Sequence, residues 1–218
     1  MDAKEVIARR IALELKGGDL VNLGIGLPTL VGEYVPRDVQ VFFQVENGLI
    51  GAGSLPEPGL IDEHLVGPGG AFMGAIPGAC SFDSCTSFGL IRGGHLDITV
   101  LGGLEVDQFG QVANWMVPGK MVPGMGGAMD LMTGARRVII AMTHTAKGKP
   151  KIVEKCKLPL TSVRPVHLIV TELAVIEPTP QGLVLKELAE GVSTQDVVSQ
   201  TEAPLVVPPG IETMPLAQ

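Results

Sequence analysis

Residues 20–45 predict two neighbouring strands that run in the same direction. The apolar run Leu20–Leu23 indicates a short buried strand that ends in the glycine loop Gly24-Ile25-Gly26. A helix is expected over Leu30–Tyr34, and the Val- and Phe-rich run Val39–Val45 predicts a second buried strand. A helical connection carries the chain back to the starting edge, so the two strands are expected to be parallel. This unit places the chain in the α/β class.

The rest of the chain extends this pattern into an open, mostly parallel sheet sandwiched by helices. Further helices are expected over Ala3–Lys16 with Asp2 as its cap, up to Ile91 with Asp83 as its cap, and near the end of the chain with Thr194 as its cap. Further strands are predicted at Leu96–Leu101, Val138–Met142, Val166–Val170, Leu173–Ile176 and Leu183–Leu188. Gly51–Gly78 has little periodicity, so it is expected to lack regular structure and to be functional or mobile. Pro204–Gln218 is expected to be a surface tail. Because no linker or repeat interrupts the pattern, residues 1–218 are predicted to form a single domain.

Charge and composition argue against several classes of partner. The net charge is -7, and the chain has one Trp and one Tyr. Nucleic-acid binding relies on cations for the phosphates and on aromatic rings for unpaired bases, so we expect no nucleic-acid partner. Gly, Pro or a charge interrupts every apolar stretch, and the N-terminus has no apolar signal core. We therefore predict no membrane partner. The three cysteines, Cys80, Cys85 and Cys156, form no Cys-x-x-Cys pair, and their odd number argues against a disulfide framework, so we predict a cytoplasmic protein.

Glu46 is the first candidate for a functional residue. It follows the second predicted strand, and Asn47-Gly48 after it predicts a sharp turn. In open α/β folds, ligands bind at the edge where parallel strands end. A carboxylate there can be a nucleophile, a ribose-binding acid or a solvated turn residue. As a nucleophile, an ionised glutamate can attack a thioester, expel the thiolate and form a mixed anhydride, with the backbone of Asn47 and Gly48 near the reacting centre.

The glycine loop offers a competing interpretation. In dinucleotide-binding domains, an acidic residue about 20 positions after the glycine motif binds the ribose hydroxyls, and Glu46 has about that spacing from Gly24 and Gly26. However, Thr29 occupies the position of the third glycine, which that motif needs for close packing of helix and strand. We therefore favour a strand-to-helix turn over NAD binding.

A second glycine-rich segment, Gly119–Asp130, contains Gly126-Gly127 before a possible helix. Their N–H groups can face an oxyanion, as acyl transfer requires, or they can form a tight loop under the sheet; the sequence favours neither. Lys120 in the same segment can bind a phosphate or a carboxylate.

The four histidines are His64, His95, His144 and His167. Since these histidines are far apart and none has a neighbouring Cys ligand, we predict neither a metal site nor a permanently bound cofactor.

Several sequence runs, in this order, resemble the B (beta) subunit of family I 3-oxoacid CoA-transferases, such as acetate/butyrate–acetoacetate CoA-transferase. The resemblance covers nearly the whole chain. The matching runs are Val21–Thr29, Glu46–Gly51, Ile91–His95, Ala113–Lys120, Gly124–Asp130 and Lys157–Thr161.

The resemblance implies that Glu46 is the catalytic nucleophile. It would attack an acyl-CoA, and the released CoA would then convert the acyl-glutamyl anhydride into a glutamyl-CoA thioester. The family places Gly127 beside this thioester. Asn47, Gly48 and Gly126 are assigned with it to the oxyanion and substrate. Gly24, Gly26 and Lys120 are assigned to CoA, which is a substrate here. The resemblance also implies an A (alpha) subunit as partner, a heterotetramer, and a short acyl-CoA and carboxylic acid as substrates.

Three positions near Glu46 differ from the family pattern. Val45 replaces a serine, Ser54 follows Gly51-Ala52-Gly53 where a proline is usual, and Gly67-Pro68-Gly69 replaces Asn-Ala-Gly. Some members also carry a lysine where this chain has Gly70. The resemblance places these positions around the acyl pocket, so the differences bear on which substrate is bound more than on which reaction takes place. The alternatives to transfer are an acyl-CoA hydrolase on the same scaffold, an NAD-binding oxidoreductase and a non-catalytic sensor of CoA esters or sugar phosphates.

Overall fold

Most strands of the computed structural model, which describes residues 1–119 and 124–218, belong to an eleven-stranded mixed sheet. The strands in chain order are β1 Leu20–Leu23, β2 Phe42–Val45, β3 Leu49–Gly53, β4 Gly74–Ser81, β5 Ile98–Gly102, β6 Glu105–Asp107, β7 Val112–Ala113, β8 Arg137–Ala141, β9 Thr145–Ala146, β10 Lys149–Pro150, β11 Ile152–Val153, β12 Leu168–Val170, β13 Ala174–Thr179, β14 Gly182–Leu188, β15 Leu205–Val206 and β16 Glu212–Thr213. The large sheet has the order β15-β14-β13-β12-β8-β5-β1-β2-β3-β4, with β16 also paired to β14.

The centre of the large sheet is parallel, as predicted. Strands β12, β8, β5, β1 and β2 all pair in parallel, whereas β13 and β14 on one side and β3 and β4 on the other are antiparallel. Central strands such as β8 are apolar on both faces because helices cover both faces. Ile139 packs into the core on one face and Ile140 into the core on the other.

The helices lie in two layers. They are α1 Ala3–Ala12, α2 Ser84–Arg92, α3 Ala128–Gly134 and α4 Thr194–Ser199, with 3-10 helices at Leu27–Glu33 and Pro58–Leu60. Helix α1 and the first 3-10 helix pack on one face of the sheet, and α2, α3 and α4 supply buried side chains to the other face. This confirms the predicted helix-sandwiched α/β sheet. None of the helices formed by the described residues is long and apolar enough to cross a membrane.

The segment leading to Glu46 differs from the prediction in two ways. The connection after the glycine loop is a 3-10 helix, Leu27–Glu33, and not an α-helix over Leu30–Tyr34. Strand β2 is also not uniformly buried. Phe42 is 36% exposed, whereas the polar Gln44 is only 2% exposed. The prediction relied on hydrophobicity alone, and Gln44 is buried because its amide has hydrogen-bond partners on neighbouring elements.

The boundaries of several other elements also differ from those predicted from the sequence. The range from Gly51 to Gly78 contains most of β3 and part of β4, so the expectation that it lacks regular structure was wrong. The final segment is not a simple surface tail, because β15 and β16 join the sheet and Met214 and Ala217 are buried. Helix α1 ends at Ala12 rather than Lys16. Asp83 caps α2 as predicted, and the cap of α4 is Ser193 rather than Thr194.

Candidate active site

Glu46 lies at the edge where the parallel central strands end. It directly follows β2, and Gly24 directly follows the neighbouring parallel strand β1. Strand β1 also pairs with β5 on its other side; the chain continues from β1 to β2 in one direction along the sheet and from β5 to β8 in the other. Such a point is where open α/β sheets form a ligand crevice at the carboxyl ends of their strands. The expectation that Glu46 lies at the end of a strand, at this edge of the sheet, is therefore confirmed, and the glycine loop lies at the same edge.

The turn that carries Glu46 is held by glycine geometry. Gly48 has φ +120, a conformation that favours glycine, and its N–H donates to the carbonyl of Val45 at 3.0 Å. A Cβ at Gly48 would overlap the carbonyl oxygen of Phe82, whose N–H donates back to the carbonyl of Gly48 at 2.9 Å. Gly48 therefore shapes the turn between β2 and β3 and joins it to the segment before α2. Its assignment to the substrate remains a prediction.

Gly126 and Gly127 come from a distant part of the chain and lie against the Glu46 carboxylate. A Cβ at Gly127 would overlap Glu46 Oε2, and it would lie 3.2 Å from both Glu46 Cδ and Phe88 Cζ. A Cβ at Gly126, where φ is +49, would lie 3.6 Å from Glu46 Oε1. Gly127 therefore leaves room for the carboxylate where a side chain would displace it, whereas at Gly126 the contact would be an ordinary one and the positive φ is what favours glycine.

The environment of Glu46 makes its carboxyl group harder to ionise. Partial burial raises the pKa of Glu46 above the ordinary value, the backbone N–H of Gly127 lowers it, and the negative charge of Asp130 raises it. Asp130 is itself held by Arg92, whose Nε donates to Asp130 Oδ1 at 2.6 Å. The result is a carboxylate that is poorly solvated when charged but has a backbone donor beside it.

We expect Glu46→Gln to raise the melting temperature at neutral pH. The pKa of Glu46 is higher in the folded state than its ordinary value of 4.5, so ionisation costs more in the folded protein than in the unfolded chain. That cost is absent at low pH, where both states are protonated, and it is complete above the folded-state pKa. The gain measured by thermal unfolding should therefore appear at pH 7 and vanish below about pH 4.

The control for this measurement is Glu190→Gln, at an exposed turn residue far from Glu46 in the sheet order. It should leave the melting temperature unchanged at both pH values. A gain for Glu46→Gln of the same size at low and neutral pH would contradict an origin in ionisation.

The other predicted site residues lie near this edge with different local roles. Asn47 uses its side chain to donate to the carbonyl of Val66 at 2.8 Å, which ties the turn to the loop between β3 and β4. A Cβ at Gly24 would lie 3.0 Å from Leu101 Cδ2 and 3.1 Å from the carbonyl oxygen of Val100, so close packing on β5 favours glycine there. Gly26 has φ +88. Their assignments to CoA or substrate stay predictions, and Lys120 lies outside the described residues.

Neither the metal-site nor the dinucleotide interpretation gains support from the geometry. In the described ranges, no three His, Cys, Asp or Glu side chains come together in a way that could hold a metal ion. His144 is fully buried, with Nδ1 3.0 Å from Thr171 Oγ1 and Nε2 2.9 Å from Thr201 Oγ1, which is a packing role. The glycine loop leads into a 3-10 helix, whereas the dinucleotide motif places the pyrophosphate at the start of an α-helix.

Sequence reasoning missed the residues that surround Glu46 from other elements. Phe88 contacts the space beside Gly127, and Asp130 acts on the carboxylate charge. No local pattern marks these two residues. Gln44 was detectable in principle, because an amide inside a Val- and Phe-rich strand needs a buried hydrogen-bond partner.

Comparison with known proteins identifies the family. A family model described as coenzyme A transferase matches residues 4–200. The acetate CoA-transferase subunit beta of Haemophilus influenzae is 54% identical, over 100% of this chain and 98% of that protein. The acetate CoA-transferase subunit beta of Escherichia coli K12 is 52% identical, over 98% of each chain.

A solved structure agrees with these relatives. The crystal structure of an acyl-CoA transferase from Escherichia coli O157:H7 has a TM-score of 0.80 at 25% identity. The match covers 98% of this chain but 43% of that one, so this chain corresponds to less than half of that protein. The resemblance found in the sequence is thus confirmed, together with an enzyme of the CoA-transferase type. The chain belongs to the coenzyme A transferase family.

Proposed function

We propose that this chain transfers coenzyme A between a short acyl-CoA, such as a 3-oxoacyl-CoA, and a carboxylic acid, through a covalent thioester on Glu46. The observation that carries the proposal is the contact between the Glu46 carboxylate and Gly127 at the carboxyl edge of the parallel strands. It combines a nucleophile with a backbone donor at the position where a ligand crevice is expected.

The reaction begins with attack by a Glu46 carboxylate oxygen on the thioester carbonyl carbon. The carbon–sulfur bond breaks, CoA leaves as a thiolate, and an acyl-glutamyl anhydride remains. The thiolate then attacks Glu46 Cδ, and the first acid leaves as a carboxylate. A second carboxylate repeats these steps in reverse and departs as its CoA ester. No water and no net proton are consumed, so the chemistry needs no general base.

The electrostatics of the site favour the covalent intermediate. Partial burial and the negative charge of Asp130 make the free Glu46 carboxylate less stable, which is why its pKa is raised. A glutamyl thioester is neutral, so its formation removes this unfavourable charge. The N–H of Gly127 can donate to the oxyanion that develops in each tetrahedral transition state. Asn47 and Gly126, which we also assign to the substrate site, lie at the same edge of the sheet.

We also propose that the site is completed by an A (alpha) subunit, in a heterotetramer. Large apolar side chains near the Glu46 edge are exposed, including Ile25 at 66% and Phe72 at 49%. The loop that carries Phe72 is tied to the Glu46 turn through the bond from Asn47 to Val66. An exposed apolar surface beside a site favours coverage by another protein. We further propose a cytoplasmic location, the CoA assignments of Gly24, Gly26 and Lys120, and no permanently bound cofactor.

The test is to incubate this chain, together with its A subunit, with acetoacetyl-CoA, and to map covalent CoA by mass spectrometry. The expected result is a CoA adduct on the peptide that contains Glu46. Borohydride should reduce the thioester and abolish activity, and added acetate should discharge it to acetyl-CoA. An adduct on another residue, or none, would overturn the proposal. Discharge by water at the same rate without acetate would indicate an acyl-CoA hydrolase instead.

A further inference from the structure

Four polar side chains form a hydrogen-bonded cluster beneath the Glu46 turn. Asn22, Gln44, Ser87 and Thr99 are 4%, 2%, 0% and 0% exposed, and they come from β1, β2, α2 and β5. Burying polar groups is unfavourable unless their hydrogen bonds are made, and a fully bonded network is compatible with few other arrangements of its elements. Such a cluster therefore favours one relative position of the strands and α2.

Gln44 is the centre of this cluster because its amide uses both its oxygen and its nitrogen. Its Oε1 accepts from Asn22 Nδ2 at 2.8 Å, and its Nε2 donates to Ser87 Oγ at 2.9 Å. The same Nε2 donates to the carbonyl of Val45 at 3.1 Å. Thr99 contributes only a longer contact of 3.4 Å to Asn22 Oδ1.

The Val45 carbonyl links this amide to the nucleophile. It belongs to the peptide bond that joins Val45 to Glu46, and it also accepts from the N–H of Gly48 at 3.0 Å. Two donors on one carbonyl oxygen restrict rotation of that peptide plane. The direction in which the Glu46 side chain leaves the backbone is restricted with it.

The bond from Gln44 to Ser87 links the amide to the opposite wall of the site. Ser87 precedes Phe88 in α2, and Phe88 Cζ is 3.2 Å from where a Cβ on Gly127 would lie. One amide thus contacts the backbone just before Glu46 and the helix that packs beside Gly127. Residues 43 positions apart are joined by this single hydrogen bond.

We propose that Gln44 is a positioning residue that holds the Glu46 carboxylate against Gly127. It acts through the peptide bond between Val45 and Glu46 and through Ser87, and it does not touch the reacting atoms. The inference rests on the proposed function, in which Glu46 is the nucleophile. A shift of about 1 Å at a reacting group can cost about 10²-fold in rate, so the position of this carboxylate matters.

The main test compares Gln44→Met, which keeps side-chain length but loses the hydrogen bonds, with the wild-type complex. We expect kcat for acetoacetyl-CoA and acetate to fall by about 10- to 100-fold with little change in KM. Ser87→Ala should also lower kcat. The double variant should be no worse than Gln44→Met alone, because both changes break the same bond.

The control is Thr171→Val, which removes another fully buried hydroxyl. Thr171 follows β12, and three strands separate β12 from β2 in the sheet. Its loss should reduce thermal stability, because Leu173 and Ala174 donate their N–H groups to it, while kcat stays unchanged. If Thr171→Val and Gln44→Met lower kcat equally at equal loss of stability, a specific positioning role is wrong.

A second measurement separates this inference from the proposed function. Water-soluble carbodiimide modifies protonated carboxyl groups, so the pH dependence of Glu46 labelling reports its environment without any transfer reaction. In Gln44→Met the labelling midpoint should differ from that of the wild type, because a displaced carboxylate changes both its burial and its contact with the Gly127 N–H, and in Thr171→Val it should match the wild type. An unchanged midpoint in Gln44→Met would overturn the positioning role. Absence of a CoA adduct in the wild type would overturn only the proposed transfer reaction, and the labelling midpoint would still decide the role of Gln44.

Discussion

Exchange of CoA between acetoacetyl-CoA and acetate is expected to fall by at least about 10⁴-fold in Glu46→Gln, which corresponds to about 5.5 kcal/mol of activation free energy. The amide of glutamine is nearly the same size as the carboxylate and can still accept from the N–H of Gly127. It cannot, however, act as a nucleophile toward a thioester. The variant should remain folded while losing both exchange activity and the CoA adduct. The measurement is the rate of acetyl-CoA formation by the complete complex.

Two further variants make this prediction specific. Glu46→Asp keeps the charge but withdraws the carboxylate by one methylene group, so we expect a reduced rate rather than complete loss. Glu190→Gln removes an exposed carboxylate far from the site and should exchange CoA at the wild-type rate. Full exchange activity in Glu46→Gln would show that another residue is the nucleophile.

The second large effect is expected for Gly127→Ala, which should lower kcat by about 10²-fold. Gly127 has φ -82, which is ordinary for an L-residue, so alanine should fit the backbone without strain. The new methyl group would instead overlap Glu46 Oε2 and crowd Phe88, and the carboxylate would have to move. A displacement of about 1 Å at the reacting group is enough for this loss. Steady-state kinetics and the rate of adduct formation measure it.

The matched control is Gly89→Ala, on the exposed side of the helix that carries Phe88. A Cβ there would meet no atom of the described residues within 4 Å, so alanine should leave exchange unchanged and stabilise the helix slightly. Combining Gly127→Ala with Glu46→Asp should cost less than the product of the two single losses, because the shorter acid makes room for the methyl group. Wild-type kcat in Gly127→Ala would contradict the close contact on which the proposed function rests.

The sequence predicted the parts of this site that depend on local patterns. Apolar runs located the central strands, and the acid followed by Asn47-Gly48 placed Glu46 at a turn on the carboxyl edge. The same reasoning failed where pairing partners decide the structure. Strand β4 contains two glycines and Pro77 and is largely exposed, so it has little hydrophobic signal, yet it pairs with β3 through backbone hydrogen bonds, which do not depend on apolar side chains.

Burial along β2 shows a further limit of pattern reasoning. Hydrophobicity predicted that Phe42 would be buried, and it did not single out Gln44. In the structure Phe42 is partly exposed and Gln44 is buried. The Gln44 amide can be buried because Asn22 and Ser87 form hydrogen bonds with it. Those partners lie on other elements, so the run of residues 39–45 contains no sign of them.

The sequence alone determined that Glu46 is a carboxylate with three possible roles at the carboxyl edge of the sheet. The turn residues that follow Glu46 and the helical connection between the two strands are local features, and they are sufficient for this prediction. The contact of Glu46 with Gly127 and the bond from Gln44 to Ser87 follow only from the tertiary structure. Each depends on the packing of α2 and α3 against the sheet, which brings together residues that are far apart in the chain. A contact of this kind results from many packing interactions at once, so no short stretch of sequence encodes it.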